Sequence, residues 1–352
     1  MVGIGMTLCR DCCVAGPVLA TASADRTVRL WAVETGRCLG RYTAHQGSVN
    51  SVQFHPGGEL ALSASGDCAA HIWSYRELCQ RSRTDSQETE ADSSDDGLEG
   101  GAGATDCPPA QTHTLSILGG HQGVVASAAW LAGGDQAVTA SWDRTAGLWD
   151  VASQSMIQSL VGHDQELTHC ASHAAQRLVV TASKDSTFRL WDFRENIHSV
   201  SVFQGHTEAV TCAAFSRTEH IVSGSDDRTV KVWDLRNMRA PLTNIQTDSP
   251  VSRSIAQMPL QLEIFQVNKV SISGSGLVAV PQDNRHCSVY DVSGSRVARL
   301  PREQGKCHMR MVTSVAWAAG ELPEHRPNLF TVGFDRVALG WRLRSKEELK
   351  IN

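Results

Sequence analysis

Ser48 to Phe54, Leu60 to Ala64 and Ala70 to Trp73 are short runs of β-branched, aromatic and small residues, parted by the turn clusters His55-Pro56-Gly57-Gly58 and Gly66-Asp67. Runs of that length between such boundaries predict β-strands. A fourth strand is expected before the next group, as in Arg37 to Tyr42. The same order recurs along the chain, so the pattern is a repeat.

The repeat has fixed markers. Trp31, Trp73, Trp149, Trp191, Trp233 and Trp341 each stand six residues after an Asp: Asp25, Asp67, Asp143, Asp185, Asp227 and Asp335. Four residues before each Asp is a hydroxyl: Thr21, Ser63, Thr139, Thr181, Ser223 and Thr331. His45, His121 and His163 precede their Asp by 22 residues, and His206 precedes Asp227 by 21. A degenerate copy has Val280, Asn284 and Tyr290 at the hydroxyl, Asp and Trp positions. The unit is 42 residues, and the larger gaps are insertions of 34, 15 and 9. Seven copies of four strands, with Gly-His starts and Trp-Asp ends, predict an all-β, seven-bladed propeller.

Setting aside residues 76–112 leaves 315 residues, or 45 per copy, and no room for a second folded domain. The expected organisation is blades 1 and 2 over residues 1–75, an acidic disordered insertion over 76–112, blades 3 to 7 over 113–343, and a charged tail over 344–352.

Gly120-His121, Gly162-His163 and Gly205-His206, with Trp149-Asp150, Trp191-Asp192 and Trp233-Asp234, resemble the WD-repeat family, and the likeness covers nearly the whole chain. The resemblance implies that His, hydroxyl, Asp and Trp form a hydrogen-bonded chain pinning the loop before the first strand to the turn after the second. Thr139 to Asp150, Gly162 to Cys170, Ser186 to Glu195 and Ser223 to Arg239 are similar to segments of a cytoplasmic and nuclear adaptor without enzymatic activity. That narrower likeness implies phosphofurin acidic cluster sorting proteins as partners. Two features depart from it. The chain opens inside the first blade, where the family member has a long leading region, and Val251 to Gln266 have no counterpart.

Composition narrows the function classes. The 352 residues are 41% hydrophobic and 20% charged, which argues against disorder as the dominant state. A net charge of −5 argues against nucleic acid as a partner. The longest uncharged apolar-leaning run, Cys12 to Ala24, falls short of the ~20 residues of a spanning helix, so no membrane insertion is expected. Eleven cysteines, without a charged and then apolar leader, fit a reducing compartment. The segment 76–112 has nine acids against three Arg, a net of −6 that leaves the propeller at +1. Ser82, Thr89 and Ser93, each with an acid three residues on, make it a candidate phosphorylation target.

His, Ser or Thr, and Asp together could form a nucleophile triad. Repetition in four blades argues against it, because a catalytic site occurs once. His45/Ser63/Asp67/Trp73, His121/Thr139/Asp143/Trp149, His163/Thr181/Asp185/Trp191 and His206/Ser223/Asp227/Trp233 are therefore read as structural tetrads. Cys9, Cys12 and Cys13 contain a C-x-x-C spacing, but no second ligand pair follows, so neither a metal nor another cofactor is expected. No G-x-S-x-G, H-E-x-x-H or phosphate-loop motif is present, and no enzyme is expected.

The expected function is a non-enzymatic scaffold that docks protein partners on a propeller face. By analogy with the family, the residue before each turn Asp and those three and five after the His face the channel opening: Trp142, Lys184 and Asp226, with Ser48, Asn50, Glu166, Thr168 and Thr211. Trp142 is the expected anchor, since Trp dominates interface energetics. The alternative is the substrate receptor of a cullin-RING ubiquitin ligase. Its cue is W-D-x-R in neighbouring copies, with Arg194 and Arg236 meeting an acidic surface. Closure of the first and last blades is expected to be incomplete. The blade around Phe330 to Leu343 should have three strands, or take the C-terminal tail as a weak fourth.

Overall fold

The computed structural model describes residues 2–3, 8–80, 110–193, 199–216, 219–247, 270–273, 276–282, 284–301, 307–318 and 326–343. They form seven sheets, antiparallel but for one added strand on blade 1, in chain order around a ring. Blade 1 is Cys9–Ala15, Val18–Ser23, Val28–Ala32 and Cys38–Tyr42; blade 2 is Val49–Phe54, Leu60–Ser65, Ala69–Ser74 and Ser116–Gly119. Blade 3 is Val125–Trp130, Gln136–Ser141, Thr145–Asp150 and Ser155–Val161; blade 4 is Leu167–Ser172, Leu178–Ser183, Phe188–Asp192 and Ser199–Phe203. Blade 5 is Val210–Phe215, His220–Ser225, Thr229–Asp234 and Thr243–Gln246. Blade 6 is Ser271–Ile272, Val278–Pro281, Cys287–Tyr290 and Arg296–Arg299, and blade 7 is Val312–Trp317, Leu329–Gly333 and Val337–Trp341. No helix among the described residues is long and apolar enough to cross a membrane.

The sequence alternates where a strand has one dry face and does not where it has two. Val18–Ser23 and Leu178–Ser183 are buried at every position, because the neighbouring blades cover both of their faces. They are accordingly built from Val, Leu, Ala, Thr and Ser, which pack closely. The outer strand Ser155–Val161 instead alternates, with only Leu160 fully buried. The core is divided into layers between blades: Val138, Leu148 and Leu160 of blade 3 pack on Cys170, Val179 and Trp191 of blade 4.

Each of six inner strands carries a register shift near its start, at Arg10, Asn50, Ala126, Thr168, Thr211 and Thr313. Such bulges re-aim a side chain. Here they aim polar side chains mainly at the next blade: Asn50 Nδ2 donates to Val125 O (2.8 Å) and Thr168 Oγ1 to Val210 O (2.6 Å). Thr211 Oγ1 instead donates within its own blade, to Gly224 O at 3.1 Å. Asn50, Thr168 and Thr211, expected at a partner-facing rim, thus act as latches within the fold.

Two expectations on organisation are corrected. Blade 2 is split, because its outer strand Ser116–Gly119 lies beyond the insertion and not in blade 3. The insertion range also contains ordered structure at both ends. A short helix runs over 75–80, and its Leu78 is 3% exposed against Leu30 and Tyr42 of blade 1. Ala110–Gln111 returns as a fifth, parallel strand on the edge of blade 1, opposite Arg41 and Tyr42. Residues 81–109, the tail 344–352 and the segment Val251 to Gln266 lie outside the described residues.

Closure is thin but differently made than expected. The fourth strand of blade 7 is Val2–Gly3, paired with Ala338 and Val337, and not the C-terminal tail. Two residues of pairing are supplemented at the inner strands. Thr313 Oγ1 donates to Cys9 O at 3.0 Å, and Ser314 Oγ donates to Asp11 Oδ1 at 2.8 Å. The same carboxylate accepts Cys12 N in its own strand and Val52 N of blade 2, at 2.8 and 3.2 Å. Asp11, 3% exposed, therefore binds three consecutive blades. Asp11 lies outside every repeated marker, so the spacing of the repeat assigns it no role.

Candidate functional site

The repeated markers meet within each blade. In blade 3, Trp149 Nε1 donates to Thr139 Oγ1 at 2.8 Å, His121 Nε2 lies 2.7 Å from the same hydroxyl, and His121 Nδ1 lies 2.7 Å from Asp143 Oδ2. A carboxylate only accepts, so Nδ1 carries the proton and Nε2 accepts from the threonine. The equivalent His to Asp distances are 2.9 Å for His45 and Asp67, 2.7 Å for His163 and Asp185, and 2.8 Å for His206 and Asp227. Ser63, Thr181 and Ser223 link these to Trp73, Trp191 and Trp233 at 3.2, 2.8 and 2.9 Å.

A fifth complete tetrad was missed. His308 lies 2.9 Å from Asp335 Oδ2 and 2.8 Å from Thr331 Oγ1, which accepts from Trp341 at 2.8 Å. Its separation from Asp335 is 27 residues, outside the 21 or 22 of the other copies. Blade 1 keeps the Trp31 to Thr21 bond at 2.9 Å, while Asp25 turns to Thr27 and Arg29.

Burial opposes ionisation of the tetrad aspartates, and hydrogen bonds outweigh it. Those from His45, His163 and His206 hold Asp67, Asp185 and Asp227 well below the usual carboxylate range. Asp143 and Asp335 are lowered by the same balance, through Thr145 with His121 and through His308. The tetrad hydroxyls Ser63, Thr139, Thr181, Ser223 and Thr331 are all fully buried, so the bonded series lies inside the fold and not at its surface.

Blade 2 adds a second imidazole. His71 stacks on His45 at 3.8 Å with an interplanar angle of 15°, and the Tyr42 hydroxyl lies 2.9 Å from its Nδ1. Burial, then the neighbouring His45, pushes its pKa down to about 4. Ligand atoms of His45, Asp67 and His71 fall within 4.8 Å of one another. Stacked rings hold their nitrogen lone pairs side by side rather than converging on one ion, and both nitrogens of His45 are already bonded. The group is a hydrogen-bonded network that anchors Thr114, whose hydroxyl lies 2.7 Å from Tyr42 Oη.

The turn holding each tetrad Asp defines one face of the disc. Trp142 of blade 3 is half-buried there, with Lys184 Nζ of blade 4 at 5.4 Å from its ring centroid. Lys184 Nζ is also 3.9 Å from Glu166 Oε2. Three of the expected partner-facing residues are thus gathered across one blade junction. Asp226 occupies the equivalent turn of blade 5, with its N–H donating to Ala209 O at 3.1 Å.

Arg236 lies at the far end of its strand, on the opposite face, paired with Glu219 at 2.5 Å. With Leu178, Leu190, Leu235 and Met238 it borders a cavity of about 180 Å³. Arg194 lies outside the described residues.

The residue after each turn Asp was also missed. Arg26, Arg144, Arg228 and Arg336, with Arg285 after Asn284, have φ of 69, 69, 66, 66 and 70°. All five are exposed on the face that holds Trp142. The conformation is forced by the Asx turn, in which Asp143 Oδ1 accepts Thr145 N at 3.0 Å and Asp227 Oδ1 accepts Thr229 N at 2.9 Å. Glycine adopts such a φ more cheaply, by roughly 1 kcal/mol. The readable signal was Asp-Arg-Thr in Asp25 to Thr27, Asp143 to Thr145 and Asp227 to Thr229.

Fold and tetrads together define a WD-repeat propeller, and the chain belongs to the WD domain, G-beta repeat family, which matches residues 7–32, 36–74, 112–150, 154–192 and 197–234. Blades 6 and 7 fall outside the match. Among its relatives, the chain is 51% identical over 338 residues to WD repeat-containing protein 37 of Xenopus laevis and 50% identical over 337 to that of Homo sapiens. Each alignment covers 93% of this chain and 64% of the relative, so the chain spans just under two thirds of those proteins. Mitochondrial division protein 1 of Aspergillus oryzae is 30% identical over 147 residues, covering 40% of this chain and 21% of the relative. WD-repeat propellers generally mediate protein–protein interactions and are typically non-catalytic.

Proposed function

We propose that the chain is a non-enzymatic scaffold that docks protein partners on the face carrying its tetrad turns. The observation behind this reading is the Trp142, Lys184 and Glu166 cluster, a half-buried aromatic flanked by opposite charges and set among exposed guanidiniums. Such a surface offers an aromatic anchor and cations for the acidic groups of a partner. Phosphofurin acidic cluster sorting proteins are the partners that the family resemblance implies, and a cytoplasmic and nuclear setting belongs to the same reading. The ligase-receptor alternative has weaker support, because Arg236 is already paired with Glu219 and faces the other way.

The test is partner capture by purified variants. Trp142→Ala should keep the melting transition of the ring while weakening capture by about 2 kcal/mol or more. Unchanged capture removes Trp142 from the site. Arg144→Gly sharpens the test, because relief of the left-handed backbone should stabilise the fold by roughly 1 kcal/mol while capture weakens. Opposite signs in the two measurements separate a binding role from a structural one.

A further inference from the structure

The inner strands stand side by side around the axis of the ring, and the residue at the bulge of each is neutral except in blade 1. There it is Arg10. Among the seven described inner strands, Arg10 and Asp11 alone carry a fixed charge. Asp11 does not neutralise its neighbour, because its carboxylate accepts Cys12 N, Ser314 Oγ and Val52 N. Arg10 makes one hydrogen bond among the described residues, from Nη1 to Asn50 Oδ1 at 2.5 Å, and no ion pair. Burial lowers the pKa of its guanidinium, and no neighbouring charge offsets the shift.

Arg10 lies close below the face of the tetrad turns. Leu8 O and Ser48 O, two residues ahead of Arg10 and Asn50, accept Ala24 N and Gly66 N of those turns. The residue before the turn Asp is small here, Ala24 in blade 1 and Gly66 in blade 2. Blades 3, 4, 5 and 7 have Trp142, Lys184, Asp226 and Phe334 at that position. The Ser48 hydroxyl is 3.2 Å from where a Cβ on Gly66 would stand, and it has no hydrogen-bond partner among the described residues. The mouth of the channel at blades 1 and 2 thus combines small rim residues, an uncommitted hydroxyl and a guanidinium with most of its N–H groups free.

We propose that Arg10, with the Ser48 hydroxyl above it, forms a socket at the mouth of the central channel for one oxyanion, phosphate or carboxylate. A planar guanidinium takes such a group through two parallel N–H bonds, and a hydroxyl beside it adds a third donor. An enclosed cation without a counter-charge is costly, and an anion seated against it relieves that cost. Enclosure also keeps water and salt from screening the pair as they screen the exposed arginines of the turns. The oxyanion is either free in solution or carried by an acidic group of a partner. Binding of a free anion needs no docked partner, so its outcome is separate from that of the capture measurement.

Titration calorimetry of the purified 352-residue chain with inorganic phosphate tests it, at constant ionic strength so that screening does not vary. Saturable binding in the millimolar range is expected, the strength of a single charge-assisted contact, with a rise in melting temperature as phosphate is added. Acetate run alongside separates the sources: tighter phosphate binding points to a phosphate group, and tighter acetate binding to an acidic side chain. Arg10→Gln keeps a donor for Asn50, so it should melt like the native chain without added anion while binding both anions about tenfold more weakly or not at all. Arg10→Lys keeps the charge without the fork and should bind measurably but more weakly, which provides a second variant should Gln at this position impair folding. Arg228→Gln removes an equal charge from the exposed set across the ring and should leave binding within about twofold of native. Absence of binding by either anion overturns the proposal. So does binding that is unchanged in both Arg10 variants, or that falls as far with Arg228→Gln.

Discussion

In blade 5, His206, Ser223, Asp227 and Trp233 are bonded in series, whereas its neighbour blade 6 has Val280, Asn284 and Tyr290 at the last three of those positions. The inner strand of blade 5 has six residues and that of blade 6 has two. Blade 6 also buries the amide of Gln282, 1% exposed, with no hydrogen-bond partner among the described residues. Its support comes from outside. Val270 N donates to Cys212 Sγ of blade 5 at 3.5 Å, and Trp317 Nε1 of blade 7 donates to Ser271 O at 3.1 Å. A blade without a tetrad is thus held by its neighbours on both sides.

The strongest way to break this contrast is to remove the internal bonding of blade 5. His206→Ala strands Asp227 and Ser223 and should cost about 2–4 kcal/mol in urea unfolding. His308→Ala should cost a similar amount, since blade 7 carries the same bonded series, and a loss below 1 kcal/mol would class blade 7 with blade 6. Asp11→Ala removes the acceptor shared by three blades and should cost about 2–3 kcal/mol, whereas Asp11→Asn should cost less.

Acid separates the stacked imidazole of blade 2 from the tetrads. His71 has a folded pKa of about 4 against an ordinary 6.5, so the stability linked to its neutral form is present above 6.5 and lost as pH falls toward 4. The tetrad aspartates are lowered too, and their contribution is lost only as pH falls below the ordinary 3.8. Stability measured between these values should decline in the native chain and decline less in His71→Phe. Equal slopes would mean that the stacked imidazole does not govern this window. The smallest effect expected is a gain: Gln282→Leu removes a stranded amide and should stabilise blade 6 by about 1 kcal/mol.

Much of the fold was legible because a tetrad imposes spacing on sequence. Trp must sit six residues after Asp, because the turn that holds the Asp for its histidine leads directly into the strand that brings Trp back to the hydroxyl. The histidine stands one strand and one loop further back, and a longer connection between Trp317 and Leu329 hid His308. Closure was illegible for a related reason: Val2–Gly3 and Asp11 act through backbone and inter-blade bonds that occur once and leave no period. The face that carries the tetrad turns was half legible. Trp142, Lys184 and Glu166 follow from position within the repeat, but five arginines in left-handed turns became visible as a set only when φ and exposure were seen together. Asn50 and Thr168 showed the reverse, being polar at the right positions and already bonded to the next blade.

A propeller presents a preformed face only if its ring stays shut, and hydrogen exchange measures that directly. Amides of Leu329–Gly333 and Val337–Trp341 in blade 7 should be protected as well as those of His220–Ser225 and Thr229–Asp234 in blade 5, while Val278–Pro281 and Cys287–Tyr290 in blade 6 exchange first. Exchange of blade 7 ahead of blade 6 would contradict it, placing the weak point of the ring at the junction that Asp11, Thr313 and Val2–Gly3 are described as closing.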